Sequence, residues 1–192
     1  MANRANHYEA AFEAYIRALR VPCVAVDEAK RAISGDEGLK NPDFLVYPGK
    51  GLNLVVEVKG KRGKTAIGRR AWENWVTTDD LDGLARWQEM FGPGFRALLA
   101  FVYAESASPF PLPPGDGTFS FRGRLYRFWA LELDDYVGHL RSRGPAWKAV
   151  AMARAEFRKR VRPLDEWLPT RIEARPTAAT PRRPKILKET QR

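Results

Sequence analysis

Asp43, Glu57 and Lys59 are the residues of this chain whose types and spacing could do chemistry together. Asp43 opens one strand-like run (43–47) and Glu57 falls near the end of the next (52–59), and Pro48-Gly49-Lys50-Gly51 between them has the composition of a hairpin connection. A hairpin brings Asp43 beside Glu57. Strand side chains alternate with period 2, so Glu57 and Lys59 share one face while Val56 and Val58 turn the other way, towards the core. Two carboxylates converging with the carbonyl of Val58 make an oxygen-rich pocket of the kind that holds Mg²⁺ or Mn²⁺, with waters completing the shell. Such an ion polarises a phosphodiester and lowers the pKa of the water it binds, and Lys59 would orient that water or offset charge building on the phosphate.

The elements that must position these residues are read from hydrophobic period and from Gly and Pro punctuation. Residues 8–19 carry Tyr8, Phe12, Tyr15, Ile16 and Leu19 at helical spacing, and Val21-Pro22 ends that helix. Residues 21–26 form a short β-branched strand, and 35–41 reads as a loop. After the hairpin, residues 59–70 hold Lys59, Lys61, Arg62, Lys64, Arg69 and Arg70 with three glycines and no acid, which predicts a flexible basic loop placed to contact phosphate. Residues 79–91 predict a second amphipathic helix, capped by Asp79 and Asp80 and stopped by Gly92-Pro93-Gly94. A central strand is expected at 98–103, a second hairpin at 118–121 and 125–131, a helix at 133–141, and a strand at 148–152 followed by a helix. That order predicts an α/β fold, a central mixed β-sheet flanked by helices, in a single domain over residues 1–168.

Composition narrows the functional classes. The 33 Lys and Arg against 23 Asp and Glu leave a net charge of +10, which points to a polyanionic partner. Residues 170–192 carry seven basic residues against Glu173 and Glu189, so half of that excess lies in a Pro-containing segment too poor in apolar residues to order itself. Residues 169–192 are therefore expected to be a disordered basic tail, either solubilising or holding nucleic acid electrostatically. The single cysteine, Cys23, excludes a disulfide scaffold and a zinc-thiolate module. No apolar run approaches the roughly 18–20 residues of a membrane span and no leader is evident, so a cytoplasmic protein is expected.

Pro42-Asp43 followed by Glu57-Val58-Lys59 resembles the active-site motif of the PD-(D/E)XK nuclease superfamily, which includes restriction enzymes, Holliday junction resolvases and repair nucleases. The register from Glu9 to Tyr15-Ile16 resembles the opening helix of archaeal resolvases, whose glutamate completes the metal site. More narrowly, His7-Tyr8-Glu9-Ala10-Ala11-Phe12-Glu13 resembles the signature of the bacterial HYExAFE family. The family resemblance runs from His7 to about Tyr103. It implies a restriction-endonuclease-like core, catalytic residues Glu9, Asp43, Glu57 and Lys59, and a metal held by Glu9, Asp43, Glu57 and the Val58 carbonyl. Glu13, one helical turn beyond Glu9, would orient Glu9 or a water from behind. The implied activity is a Mg²⁺- or Mn²⁺-dependent endonuclease acting on DNA, branched or damaged DNA included; whether it works as a homodimer stays open.

The competing reading is a non-catalytic nucleic-acid-binding protein on the same fold, with Lys61, Arg62, Lys64, Arg69 and Arg70 as its contacts in either case. Trp72, Trp75 and Trp87 could stack on bases, but their apolar-patterned settings favour core packing. His7 at a helix start reads as a surface or capping residue, and Cys23 as core.

Overall fold

The computed structural model describes residues 6–27, 32–34, 37–49, 51–62, 72–105, 117–142 and 148–168. Lys64, Arg69, Arg70 and the tail from residue 169 onward lie outside the described residues.

The predicted hairpin forms. Strand β4 (Phe44–Val46) pairs antiparallel with β5 (Asn53–Arg62), Phe44 opposite Val56 and Val46 opposite Leu54. Outside β4 lies β1 (Cys23–Ala25), and on the other side β5 runs parallel to β7 (Phe95–Ala104) along its whole length. β7 pairs antiparallel with β9 (Arg124–Glu132), which in turn carries β8 (Thr118–Phe121) and β12 (Arg162–Pro163). One parallel pair among antiparallel ones makes the sheet mixed, and that parallel pair needs a crossover, supplied by helix α2 (Thr78–Phe91).

Both faces of the sheet are covered, which is why its middle strands read as nearly continuous apolar runs. Helix α1 (His7–Ala18) lays Phe12, Tyr15 and Ile16 on one face, against Val56, Val58, Leu98, Ala100 and Phe128. Each such side chain contributes about 1.5–3 kcal/mol by leaving water. The other face buries Val55, Ala97, Leu99 and Phe101 under Leu81 and Leu84 of α2, Tyr136 of the five-residue helix α3 (Leu133–Val137) and Phe157 of α4 (Arg154–Arg160). Three short strands, β6 (Val76–Thr77), β10 (Leu140–Ser142) and β11 (Ala149–Met152), form a small sheet in the order β10-β11-β6. The chain has an α/β fold with a mixed sheet between helices. Among the described residues no helix is long and apolar enough to cross a membrane.

Several expectations are corrected. The region expected to be a loop at 35–41 contains part of a small hairpin, β2 (Ala32–Ser34) with β3 (Glu37–Leu39). The helix expected at 133–141 stops at Val137, because Leu140–Ser142 finds a ladder on β11 instead. Residues 59–62 of the expected basic loop lie in strand instead, since β7 offers β5 a backbone partner as far as the pair Arg62 and Ala104; the rest of that expected loop, 63–70, lies outside the described residues.

Candidate active site

The site forms where β5 outruns its neighbour. Pairing with β4 ends at Val56, so the next β5 amides on that side face no strand. The Asp43 carboxylate takes that place: its Oδ2 accepts the Val58 N–H at 2.6 Å, while the Asp43 N–H donates to the Val56 carbonyl at 3.0 Å. Strand amides point within the plane of the sheet. Asp43 therefore sits beside β5 in that plane, buried, with Glu57 and Lys59 on the adjoining residues.

The short segment leading to Asp43 is held from both sides. The Asp43 carbonyl accepts from Val26 N–H at 2.9 Å, and the Asn41 side chain donates to the Asp27 carbonyl at 3.0 Å. The Lys40 carbonyl accepts from the Trp87 indole N–H at 2.9 Å. Gly83, inside α2, is what lets that carbonyl come so near, because a Cβ there would stand 3.0 Å from the Lys40 oxygen. Here a glycine in a helix interior, normally unfavourable by about 1 kcal/mol, has a packing reason.

On the α2 face, four charges meet. Glu57 Oε1 accepts from Lys40 Nζ at 2.6 Å and from Lys59 Nζ at 2.7 Å. Asp80 of α2 completes the ring, one oxygen on Lys40 Nζ and the other 2.6 Å from Lys59 Nζ. Asp80 also closes a capping box: Thr77 is the N-cap, its hydroxyl accepting the Asp80 N–H at 3.2 Å while the Asp80 carboxylate accepts the Thr77 N–H at 3.0 Å. The expected cap thus belongs to Thr77 and Asp80, and Asp79 stands exposed.

Burial and attraction compete at each of these groups. Burial pushes the Glu57 carboxyl above its ordinary value against the pull of Lys59 and Lys40. Burial also opposes the charge on Asp80, but the attraction of Lys59 and the hydrogen bonds from Lys40 and Lys59 win, holding that carboxyl well below the usual range. For Lys59 and Lys40 burial works to lower the pKa, and Glu57 and Asp80 together raise it. Lys59 is thus a fixed cation at neutral pH, suited to stabilising negative charge and not to accepting a proton.

Glu9 is buried on α1 and accepts from the Asn6 side chain. Helix α1 covers the Val56 and Val58 face, opposite the face that carries Glu57 and Lys59. Glu13 is bonded to Arg17 at 2.7 Å in an i,i+4 pair. Among the described residues no three His, Cys, Asp or Glu side chains are grouped so as to hold a metal ion. The oxygens of Asp43 and Glu57 suit a hard divalent cation chemically, and such an ion needs only one or two carboxylates when waters and phosphate complete its shell. Glu57, however, holds two ammonium groups. A cation would have to compete with them.

Lys61, expected as a phosphate contact, is 3% exposed inside β5; its Nζ donates to the Trp75 carbonyl at 2.7 Å and lies 3.5 Å from the Trp75 ring centroid. Arg62 ends β5. Trp75 is exposed and not in the core, whereas Trp72 and Trp87 pack against the core on the α2 face. His7 Nδ1 lies 3.0 Å from the Tyr126 hydroxyl. Sequence reasoning missed Lys40 and missed Asp80 as a site residue; the only local signals were a lysine three residues before Asp43 and an acid at the start of a helix.

No family model and no curated protein matches the chain. Among solved structures, the chain is similar to Hjc of Archaeoglobus fulgidus, a Holliday junction resolvase from an archaeal hyperthermophile, at a TM-score of 0.49 and 12% identity over 84% of this chain and 97% of that one.

Proposed function

We propose that the protein is a divalent-cation-dependent endonuclease that hydrolyses DNA phosphodiesters by direct attack of water, branched or damaged DNA included. The observation that carries this reading is the junction at Val58: Asp43 bonded to its amide on one strand, and Glu57 and Lys59, themselves ion-paired at 2.7 Å, on either side of it in the next. This is the pattern Pro-Asp then Glu-X-Lys realised in three dimensions. Asp43 and Glu57 would hold the cation, Mg²⁺ or Mn²⁺, which when bound supplies a Lewis acid for the phosphodiester. Lys59 keeps a permanent positive charge where negative charge develops on the phosphate, and electrostatic stabilisation of that kind is commonly the largest catalytic term. The net charge of +10 favours capture of DNA. Glu9 belongs to this reading by its place in the motif, from the opposite sheet face, and Arg62, Lys64, Arg69 and Arg70 are its proposed phosphate contacts.

A panel of linear, nicked, single-stranded and four-way-junction DNA, incubated with Mn²⁺ or with chelator, tests the reading. Cleavage of at least one substrate with metal, abolished by chelator and by Glu57→Gln, is the expected result. A protein that retards DNA in a gel and never cuts it would be a binding protein on the same fold.

A further inference from the structure

Two members of the four-charge cluster, Lys40 and Asp80, fall outside the PD…ExK pattern; Asp80 has a second task as a helix cap, and Lys40 has no such second task for its side chain although the fold holds it in place. Its backbone carbonyl is clamped by Trp87 and by the close approach of Gly83, while its ammonium reaches back to Glu57 at 2.6 Å and to Asp80. Two carboxylates and two ammonium groups make the cluster neutral as it stands. A divalent cation on Glu57 would meet two ammonium groups already bonded to the same oxygen, Oε1, at 2.6 and 2.7 Å, and repulsion among three cations at one buried carboxylate is costly. One lysine has to leave. Lys59 is the deeper of the two at 15% side-chain exposure, while Lys40 at 32% has the open route to water.

We propose that Lys40 is a built-in counter-ion of this site, holding Glu57 until a divalent cation displaces it, so that Lys40 and the cation compete for the same carboxylate. The inference rests on the metal-dependent reading above and adds to it a residue that sets cation affinity. Neutralising Lys40 should strengthen metal binding, the reverse of what removing a merely structural residue does.

The test is calorimetric titration of Mn²⁺ into the full chain and into Lys40→Met and Lys40→Arg, with folding checked by circular dichroism. Lys40→Met should bind Mn²⁺ about tenfold more tightly, the scale of one partly buried ion pair released, and Lys40→Arg should not. In a second measurement, which needs no variant, the wild-type lysines are acylated with and without saturating Mn²⁺ and the modified peptides are quantified. Labelling of Lys40 should quicken severalfold with metal while Lys59 stays slow. Equal or weaker Mn²⁺ binding by folded Lys40→Met, or Lys40 labelling indifferent to Mn²⁺, overturns the role of Lys40 and leaves the metal reading standing. If no form of the protein binds Mn²⁺, the metal reading itself fails and the competition with it.

Discussion

The Asp43 carboxylate accepts the Val58 amide of the neighbouring strand at 2.6 Å, so a residue proposed for chemistry also completes the hydrogen bonding of the sheet. The two roles separate by substitution. Asp43→Asn keeps an oxygen acceptor for the amide and should leave stability nearly unchanged. Asp43→Ala leaves a buried N–H unpaired, at about 1–3 kcal/mol. Both should abolish cleavage, because both remove the negative charge. Urea denaturation of the two variants beside a cleavage assay checks this; a fully active Asp43→Asn would remove Asp43 from the chemistry.

Lys59 bridges Glu57 and Asp80, and its proposed task concerns the phosphate. Lys59→Ala should reduce cleavage by at least about 100-fold, the scale of removing one electrostatic donor from a transition state. Mn²⁺ affinity should be no weaker than in wild type. Weakened metal binding with normal turnover of the loaded protein would reverse the assignment.

Gly60 follows Lys59 and carries the ring of Tyr8 from α1: a Cβ there would lie 2.2 Å from the Tyr8 ring. Gly60→Ala should therefore destabilise the fold by about 1–3 kcal/mol through overpacking. The double variant with Tyr8→Ala should lose less than the two single variants added together. Thermal or urea unfolding of the four proteins gives the coupling, and strict additivity would mean that the close approach carries no energy.

The Asp80 carboxyl sits below its ordinary value of 3.8 because the attraction and hydrogen bonds of Lys59 and Lys40 outweigh its burial. A carboxyl whose folded pKa is depressed adds stability above its unfolded pKa and loses it as pH falls towards the folded one. Wild type should thus lose stability as pH falls below about 4, and Asp80→Asn should show a shallower loss over the same range. Urea midpoints at pH 7, 4 and 3 provide the comparison. An equally steep acid limb in Asp80→Asn would mean that its ion pairs contribute little.

The segment 170–192 holds seven basic residues and lies outside the described structure. If it grips DNA, its deletion should flatten the dependence of log K on log salt by about 0.9 for each phosphate of duplex DNA that it had neutralised. Binding isotherms at several salt concentrations read this directly. Unchanged affinity and slope in the truncated chain would make the segment a solubilising end.

Much of the local architecture is legible in the sequence alone. The period-2 alternation of residues 54–59 places Glu57 and Lys59 on one face and Val56 and Val58 on the other, and the apolar spacing of Phe12, Tyr15 and Ile16 marks the buried stripe of α1. Pro48 to Gly51 marks the turn that sets Asp43 near Glu57. These are properties of one element or of two joined by a short turn, and the chain's own periodicity specifies them.

What only the tertiary structure decided is which elements face one another across the site. Lys40 reaches Glu57 across 17 residues of sequence and Asp80 across 40, and no spacing rule spans either interval. Lys61 looks like part of an exposed basic run, yet the ladder from β5 to β7 continues past it and buries it under Trp75. Trp75 in turn remains exposed where apolar patterning suggests core. Periodicity tells a residue which side of its own strand or helix it occupies. Whether that side meets solvent, a carboxylate or another helix depends on the crossover that lays α2 over the sheet, and so on packing energy summed over the whole domain.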